Sequence, residues 1–489
     1  MSEYKYGVYG TIGNDIVQNA SQAGVAPVYF GTAPVNLLSD PTGKINVPVK
    51  ISNLSDAQKK IGHFSDSAKW GKYTLCEAVA AHFSNKNGNV GPIYVINVLD
   101  PETHKKSTKT TKSLTFANKK ATIESDDIIL STFAIDDKVL GTDFEIGYDF
   151  STGVLTILDK GEEAMTTVTA SFDEVDTAAV TAESVIGEVK EDGTVSGIAA
   201  LKLVYQTCNV IPTYLAAPGW SHNKAVYDAL VSASQKINGH WHAFVFADIP
   251  VAENKTIESA TKWKTDNGYT SGFSKVYWPM FKDNGSVFHL ATLALVEKLR
   301  GDLANDNIPF ETEGNKAIPG TGLYFGEGGP VTSFDKADAN ELTAAGITTA
   351  IYWESNWRIW GDHTAAYTYN GNHKASEIFD VNMQMLFFIA NSFQKEWGLT
   401  IDKPMTLALR DTILNREQEK LDVLVAKGAL LGAPSVEFIE TNNTTNEMMN
   451  GNFRWDISAT ITPPLKSATG VVCYTDAGFE AYFGGDDNG

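Results

Sequence analysis

The sequence has no apolar run long enough to cross a membrane, and its first residues, MSEYKYGVYG, lack the apolar core of a signal peptide. Cysteine is scarce: the chain has three cysteines (Cys76, Cys208 and Cys473), far apart and odd in number. That pattern excludes a disulfide framework and a zinc site of known spacing. Together these absences predict synthesis in the cytoplasm and no direct membrane insertion.

Enzyme motifs are missing as well. The sequence contains no GxxxxGK[ST], no GxGxxG between a predicted strand and helix, no HExxH and no GxSxG. The glycine-rich run Gly326–Pro330 lacks the lysine and the following helix of a phosphate-binding loop, so it predicts a flexible loop. We therefore predict no catalytic residue, no cofactor and no metal site.

Two groups of residues leave a metal site open as an alternative. His240 and His242 would share one face of a strand, but no third ligand follows at the spacing of a metal motif. Three acidic pairs lack the spacing of a calcium-binding loop. These pairs are Asp126–Asp127, Asp136–Asp137 and Glu162–Glu163. Strand packing and a solvated acidic surface are the simpler interpretations.

Basic residues are outnumbered, and the net charge of −20 argues against nucleic-acid binding, which needs cations to neutralise phosphates. The charge is uneven: residues 124–192 hold 18 acidic residues and three lysines, a net −15. Region 101–197 also contains none of the ten tryptophans, and its short Thr- and Phe-rich runs are typical of antiparallel strands. We predict an inserted acidic β domain there, on the outside of an assembly.

Strands and helices alternate elsewhere, which predicts a mostly parallel sheet with covering helices. Residues 74–85 predict a helix, and residues 92–99 predict a strand buried on both faces. Beyond residue 199, strands are predicted at 210–219, 240–250, 274–283 and 347–353, and helices at 223–237, 256–267, 287–304, 376–397 and 404–431. Gly432 and Pro434 are expected to stop the last helix. Strands follow in SVEFIET, FRWDISATITPP, GVVCYTD and FEAYF.

The stretch Ile347–Thr364 opens with β-branched and aromatic residues and holds three tryptophans around one cation, Arg358. It predicts a buried strand that enters a tight turn at Gly361 and Asp362, with Asn356 helping to fix the turn. Arg358 should pair with a carboxylate or with carbonyl groups, or stack on an indole ring. A core strand is the simpler interpretation, and an active-site arginine is the alternative.

Both ends of the chain show period-two alternation without an adjacent hairpin partner. The residues concerned are Tyr4, Tyr6, Val8 and Ile12 at the start, and Val471, Cys473, Phe479 and Phe483 at the end. A strand that lacks a local partner exposes unpaired backbone groups unless the sheet edge of a neighbour accepts it. We therefore predict terminal arms that link subunits.

Several blocks resemble the contractile tail sheath proteins of bacteriophages and related injection machines. The segment Asn356–Thr364 (NWRIWGDHT) resembles the signature of that family, and further blocks follow its order. These blocks are LAAPG (Leu215–Gly219), FADIP (Phe246–Pro250), KVYWPMF (Lys275–Phe281), GALLGAPSVEFIETNNT (Gly428–Thr444) and the twin prolines Pro463 and Pro464. The resemblance covers about residues 200–480 and the extreme N-terminus.

The resemblance implies a structural subunit that polymerises as stacked hexameric rings around an inner tube and contracts to drive the tube through an envelope. It implies self-association, partners in the tube, baseplate and tail terminator proteins, and a place in a virion tail or phage-tail-like particle. On this basis the helix at 404–431 is expected to face the tube. Its cations Arg410, Arg416, Lys420 and Lys427 are the candidates, and an ordinary solvated helix face is the alternative.

Together these patterns predict an α/β fold with an inserted antiparallel β domain, an α+β C-terminal region and extended terminal strand arms. The predicted divisions are an N-terminal arm (1–20), an α/β core (21–100 and 198–345), the insert (101–197), a C-terminal domain (346–470) and a C-terminal arm (471–489). The alternative function is an acidic cytoplasmic α/β hydrolase. It would use Asp248, at a strand end, and Glu354.

Overall fold

A computed structural model of the chain describes residues 24–283, 285–476, 478, 479 and 482. Its first segment contains two strands that are buried along their whole length, β1 and β3, as apolar runs in a covered sheet should be. The elements are β1 (Pro27–Gly31), β2 (Pro48–Ile51), α1 (Leu54–Lys60), α2 (Leu75–Phe83) and β3 (Ile93–Asn97). The helix and strand predicted at 74–85 and 92–99 are confirmed.

The insert consists mainly of short antiparallel strands, as predicted. Its elements are β4 (Thr110–Thr115), β5 (Lys120–Glu124), β6 (Ala134–Ile135), β7 (Phe144–Asp149), β8 (Val154–Asp159), β9 (Thr167–Phe172) and α3 (Ala182–Ile186). The strands form two sheets, in the orders β4-β9-β6 and β5-β8-β7. Alternate side chains, such as Leu155 and Ile157, face inward and are fully buried.

The insert also packs against the first segment. Lys72 Nζ lies 3.1 Å from Asp126 and 2.5 Å from Asp127. The ring of Phe150, at the β7–β8 turn, lies 5.5 Å from the ring of Phe64. Asn36 Nδ2 donates to the carbonyl of Ile128 at 2.9 Å. The insert therefore rests on the core through charged, aromatic and backbone contacts, and its independence as a domain stays a prediction.

The middle of the chain alternates strands and helices. Its elements are α4 (Leu203–Cys208), β10 (Tyr214–Ala216), α5 (Lys224–Gln235), β11 (Phe244–Asp248), α6 (Ile257–Asp266), β12 (Ser274–Tyr277), β13 (Met280–Asp283), β14 (Ser286–Phe288), α7 (Leu290–Ala304), β15 (Ala317–Ile318), β16 (Gly322–Tyr324) and α8 (Lys336–Ala344). The single strand predicted at 274–283 is split into β12 and β13, which belong to different sheets. Pro279 lies between them and offers no backbone N–H to a ladder.

The last part of the described chain is helix-rich. Its elements are β17 (Ile347–Trp353), β18 (Asn356–Trp360), α9 (Asp380–Trp397), α10 (Leu407–Ala426), β19 (Leu430–Glu437), α11 (Thr445–Met449) and β20 (Asp456–Ile461). Helix α10 ends at Ala426 and not at the predicted Leu431. The turn forms at Gly428, whose φ of 78° suits glycine, while Gly432 and Pro434 lie inside β19.

The central sheet has the strand order β15-β18-β17-β12-β11-β10-β1-β3-β2 within the described residues. Six adjacent strands run parallel to one another: β17, β12, β11, β10, β1 and β3. Antiparallel strands extend the sheet at both ends, with β18 and then β15 beyond β17, and β2 beyond β3. The mixed α/β fold is therefore confirmed. The domain divisions stay predictions, and β17 and β18 continue the same sheet as the preceding core strands.

The strand predicted at 347–353 is confirmed as β17, but the stretch Ile347–Thr364 then folds back as a hairpin into β18 and does not run as one strand to Gly361. The chain reverses at Glu354 and Ser355, which both have positive φ, as a two-residue hairpin turn requires. Asn356 Nδ2 donates to Glu354 O at 3.3 Å, so its side chain bonds to this turn and not to the predicted turn at Gly361 and Asp362. Arg358 donates to the carbonyl of Asn315 at 2.8 Å, which confirms that it pairs with a carbonyl group.

Candidate assembly site

The C-terminal region presents a small sheet made of two strands, β19 and β20. These strands are antiparallel, with Leu430 opposite Ile461 and Glu437 opposite Asp456. The register shifts between Leu431 and Ser435, so the extra residues bulge from β19. No other described strand pairs with either of them. A two-stranded sheet is marginal alone and leaves two edges where further strands can add.

One face of β20 and helix α9 together form a groove, which alternate residues of the strand line. The groove has a volume of about 350 Å³. Its lining residues are mostly apolar: Leu386, Ile389, Ala390, Phe393, Gln394, Trp455, Ile457 and Ala459. The indole N–H of Trp455 is buried without a hydrogen-bond acceptor among the described residues. The groove therefore offers apolar contact along one face of a strand whose outer edge pairs with no other described strand.

The backbone of β19 is engaged by a side chain from helix α10. Gln418 Nε2 donates to the carbonyl of Pro434 at 3.1 Å, and the N–H of Val436 donates to Gln418 Oε1 at 3.3 Å. The amide of Gln418 thus satisfies one acceptor and one donor of β19, as a neighbouring strand would. Of the two strands, β20 has the less obstructed edge.

The predicted C-terminal arm leaves this region as exposed chain. Residues 465–476 are all exposed, and the structure assigns no strand to residues 462–476. Phe479 and Tyr482 are helical, so the strands predicted for GVVCYTD and FEAYF are wrong for the separate subunit. A strand needs a second strand to pair with, and no described strand pairs with residues 462–476. Val471, Cys473 and Phe479 are exposed, whereas Tyr4, Tyr6, Val8, Ile12 and Phe483 lie outside the described residues.

The four predicted tube-facing cations all have carboxylate partners within the chain. Arg416 lies 2.5 Å from Glu396, and Lys420 contacts both Glu396 and Glu417. Arg410 pairs with Asp411, and Lys427 pairs with Asp306. The positive charge of α10 is therefore largely neutralised locally, and the contact of this helix with a tube stays a prediction.

The two carboxylates of the hydrolase alternative are far apart. Asp248 is level with Thr348 across the parallel strands, since both lie opposite Tyr277 in the register. Glu354 lies six residues further along β17, roughly 20 Å away at strand spacing. Asp248 is buried and accepts the N–H of Ala291 at 3.0 Å, so it caps helix α7. Burial raises the pKa of Asp248 to about 6.

Asp248 ends β11 at the carboxyl end of the strands, where α/β folds commonly bind ligands, and an ion pair lies close enough to act on its carboxyl group. His289 Nδ1 lies 2.7 Å from Glu77, and the His289 backbone N–H donates to the same carboxylate at 2.7 Å. Burial alone would lower the pKa of His289, but Glu77 raises it to about 9. This pair, 212 positions apart, carries no sequence motif and could not be predicted.

The suspected histidine ligands hold helix α9 to the segment before β11. His240 Nδ1 lies 2.7 Å from Gln394 Oε1, and Asn391 exchanges two hydrogen bonds with the backbone of His242. The ring of His242 stacks on Phe387 at 5.5 Å. The described residues contain no group of three His, Cys, Asp or Glu side chains that could hold a metal ion. Among the same residues, no helix combines the length and apolarity needed to span a membrane.

Comparison with known proteins decides between the two functions. No family model matches the sequence. Over 469 residues the chain is 25% identical to the tail sheath protein of Burkholderia phage BcepMu, and the alignment covers 90% of each chain. It is 24% identical over 306 residues to the tail sheath protein of Escherichia phage P2, covering 61% of this chain and 72% of that protein. The resemblance to contractile tail sheath proteins is confirmed.

Solved structures agree at the level of the fold. A chain in the anti-feeding prophage baseplate superposes with a TM-score of 0.56 at 14% identity, covering 96% of this chain and 99% of that chain. A chain of an extracellular contractile injection system, the PVC sheath complex in its contracted state, gives 0.54 at 14% identity, covering 97% and 98%. The curated relatives are structural sheath proteins and not enzymes, which agrees with the predicted absence of catalysis. A structural role in a contractile tail sheath is supported, and the hydrolase alternative is not favoured.

Proposed function

We propose that this chain is a sheath subunit that polymerises as stacked hexameric rings around an inner tube and contracts to drive that tube through a target envelope. The observation that carries the proposal is the open β19–β20 sheet beside an apolar groove, in a chain with alternating apolar residues at both ends. Such a sheet suits the addition of strands from neighbouring subunits. Tube, baseplate and tail terminator proteins are the further partners.

The exposed chain after β20 is long enough to extend well beyond the folded subunit. Residues 465–476 are exposed, and twelve extended residues span up to about 40 Å. Val471, Val472 and Tyr474 are each more than 80% exposed in the separate subunit. Their burial against a neighbour would contribute roughly 1.5–3 kcal/mol per side chain.

Hydrogen bonding alone would make each link modest. A backbone bond contributes about 1 kcal/mol net, so an arm of four or five bonds holds weakly by itself. Many links that act together through effective concentration would hold a lattice. Extended arms would also keep subunits connected while the folded bodies shift. The resemblance to sheath proteins implies that contraction needs no nucleotide hydrolysis in this chain.

Filling the groove should abolish polymerisation. We expect Ala390→Trp, which places an indole between α9 and β20, to leave a folded subunit that forms no tubes or stacked rings. Removal of Met1–Asn14, the proposed N-terminal donor, should have the same effect. Negative-stain microscopy at high protein concentration and sedimentation measure assembly, and circular dichroism measures folding.

The matched control is Ala408→Trp, an exposed position in α10 that does not line the groove. It should assemble as the unmodified chain does. Normal sheaths from Ala390→Trp would show that β20 does not accept an arm, and normal sheaths from the truncated chain would remove the N-terminal arm from the proposal. If the unmodified chain gives only compact monomers or dimers, the sheath function itself is contradicted.

The contact with the tube can be tested through helix α10. Reversing Arg416 and Lys420 to glutamate would crowd them against Glu396 and Glu417, so a neutral variant is the better probe. We expect Arg416→Gln, Lys420→Gln and Glu396→Gln together to weaken co-assembly with tube protein several-fold, because rim charges steer association. The Arg416–Glu396 pair is largely exposed and contributes about 0–1 kcal/mol, but Lys420 also neutralises the buried carboxylate of Glu417, so some loss of thermal midpoint is expected and circular dichroism must show that the variant is folded.

Lys262→Gln with Asp266→Asn neutralises an exposed pair on α6 and serves as the control. Co-sedimentation with preformed tubes measures the binding of both variants. Equal binding by the α10 variant and the control would remove this helix as the tube contact.

A further inference from the structure

The second half of the signature segment, Gly361–Thr364, leaves the hairpin and runs under the central sheet. The carbonyl of Gly361 accepts from Lys275 Nζ at 3.1 Å, and the N–H of Ala365 donates to Ser274 O at 2.8 Å. Both partners belong to β12, in the middle of the sheet. The segment is therefore hydrogen-bonded to a central strand of the sheet at both of its ends.

His363 is held rigidly within this segment. Its side chain is 2% exposed, and its ring stacks on Tyr367 at 3.4 Å and on Phe379 at 5.3 Å. Nδ1 lies 2.8 Å from the carbonyl of Ile378, so Nδ1 carries the proton and donates. In that tautomer Nε2 has a free lone pair and can only accept.

A lysine from the start of the C-terminal arm supplies the donor. Lys466 Nζ lies 2.7 Å from His363 Nε2 and donates to Tyr367 Oη at 3.3 Å. The same ammonium lies 4.9 Å from the centre of the Tyr367 ring. Three contacts therefore converge on one side chain, 103 positions away from His363 in the sequence.

The position of Lys466 in the chain indicates what these contacts do. It follows Pro463 and Pro464, which stiffen the exit from β20, and it stands at the head of the exposed stretch 465–476. We infer that Lys466 is the root anchor of the C-terminal arm, which sets the direction in which the arm leaves the subunit and passes load from the arm into the central sheet through His363. This inference rests on the proposed sheath function and assigns a role to the GDHT half of the signature segment.

The experiment measures the arm in the soluble subunit, so it does not depend on polymerisation. Spin labels are placed on Cys473, which is exposed, and on a cysteine introduced by Asp266→Cys, with Cys208→Ser to remove the half-buried thiol. Pulsed electron paramagnetic resonance gives the distribution of distances between the labels. We expect Lys466→Met to widen this distribution about twofold, because the arm loses its fixed point.

His363→Phe keeps an aromatic ring between its neighbours but removes the acceptor, so it should widen the distribution, by less than Lys466→Met because the contacts of Lys466 with Tyr367 remain. The double variant should be no wider than Lys466→Met alone, as expected for partners in one interaction. Lys374→Met, which removes an exposed lysine paired with Glu377 nearby, is the control and should change nothing. An unchanged distribution for Lys466→Met, or additive widening in the double variant, would overturn the anchor.

A second experiment, on assembled sheaths, distinguishes a failure of the proposed anchor from a failure of the proposed sheath function. Sheaths of Lys466→Met should form but break under shear that the unmodified sheaths survive. If the unmodified chain forms no sheath while Lys466→Met still widens the distance distribution, the sheath function fails and the anchor stands. If Lys466→Met sheaths resist shear as well as the unmodified ones, Lys466 does not pass load from the arm into the central sheet.

Discussion

Replacement of Lys275 by methionine is expected to lower the free energy of unfolding by about 3–5 kcal/mol, the usual loss when one partner of a buried ion pair is removed. Lys275 Nζ lies 2.5 Å from Glu313 and 2.6 Å from Asp380, and all three side chains are 0% exposed. Burial alone would lower the pKa of Lys275, but Asp380 and Glu313 raise it above its ordinary value. Without the ammonium, two carboxylates would remain buried together with no cation.

The measurement is the thermal midpoint, which should fall by roughly 3–5 °C, because an unfolding entropy of about 2 cal/mol/K per residue gives about 1 °C per kcal/mol for a chain of 489 residues. Adding Glu313→Gln and Asp380→Asn to Lys275→Met should recover most of the loss, since a neutral hydrogen-bonded set costs less to bury.

Lys262→Met, which removes an exposed lysine that pairs with Asp266 on α6, is the control and should change the free energy of unfolding by less than about 1 kcal/mol. A Lys275→Met midpoint within 2 °C of the unmodified chain would contradict the dependence of the buried carboxylates on Lys275.

The sequence predicted elements well where periodicity is strong. The helices at 223–237 and 256–267 are found at Lys224–Gln235 and Ile257–Asp266. Boundaries failed where several residues could end an element. Gly432 and Pro434 looked like helix stops, but Gly428 had already ended α10 four residues earlier. The hairpin turn at Glu354 and Ser355 was missed because neither residue is a common choice for positive φ.

The candidate site was much less accessible to sequence reasoning. The alternating apolar residues at the two ends of the chain predicted strands that need partners. Which sheet edge is open depends on the order of the strands in the sheet, and that order cannot be read from the sequence. The groove beside β20 depends on residues from α9 and β20 that lie more than sixty positions apart. The cations of α10 were visible, but their neutralisation by Glu396 and Asp306 requires knowledge of which elements meet. Lys275, Glu313 and Asp380 likewise meet only in the folded chain.

Acid is expected to destabilise this protein steeply below about pH 6.5, through three buried histidines. Burial lowers the pKa of His63 and of His82 to about 4 and that of His363 to about 3. The same imidazoles in the unfolded chain bind protons near pH 6.5. As the pH falls from 6.5 towards 4, the unfolded state therefore takes up more protons and is favoured.

Each histidine should lose about 2 kcal/mol of stabilisation by pH 5, at 1.36 kcal/mol per pH unit. Asp248, whose pKa burial raises to about 6, opposes the trend because it takes up its proton more readily when folded. Above pH 6.5 the sign reverses, since His289, whose pKa is raised to about 9, loses its stabilising proton as the pH rises. Thermal midpoints measured from pH 4.5 to 9 should therefore peak near pH 6.5.

His63 allows the acid effect to be assigned. Both of its ring nitrogens are buried without a hydrogen-bond partner among the described residues, so His63→Leu removes two unsatisfied groups and one acid-sensitive site. This variant should be more stable than the unmodified chain at pH 5 and should show a shallower loss between pH 6.5 and 5, by about 2 kcal/mol. The exposed His240, changed to glutamine, should keep the full acid slope. If His63→Leu melts with the unmodified pH profile, the proton uptake of the unfolded state does not come from this histidine, and the assignment of acid sensitivity to buried neutral imidazoles fails at its clearest case.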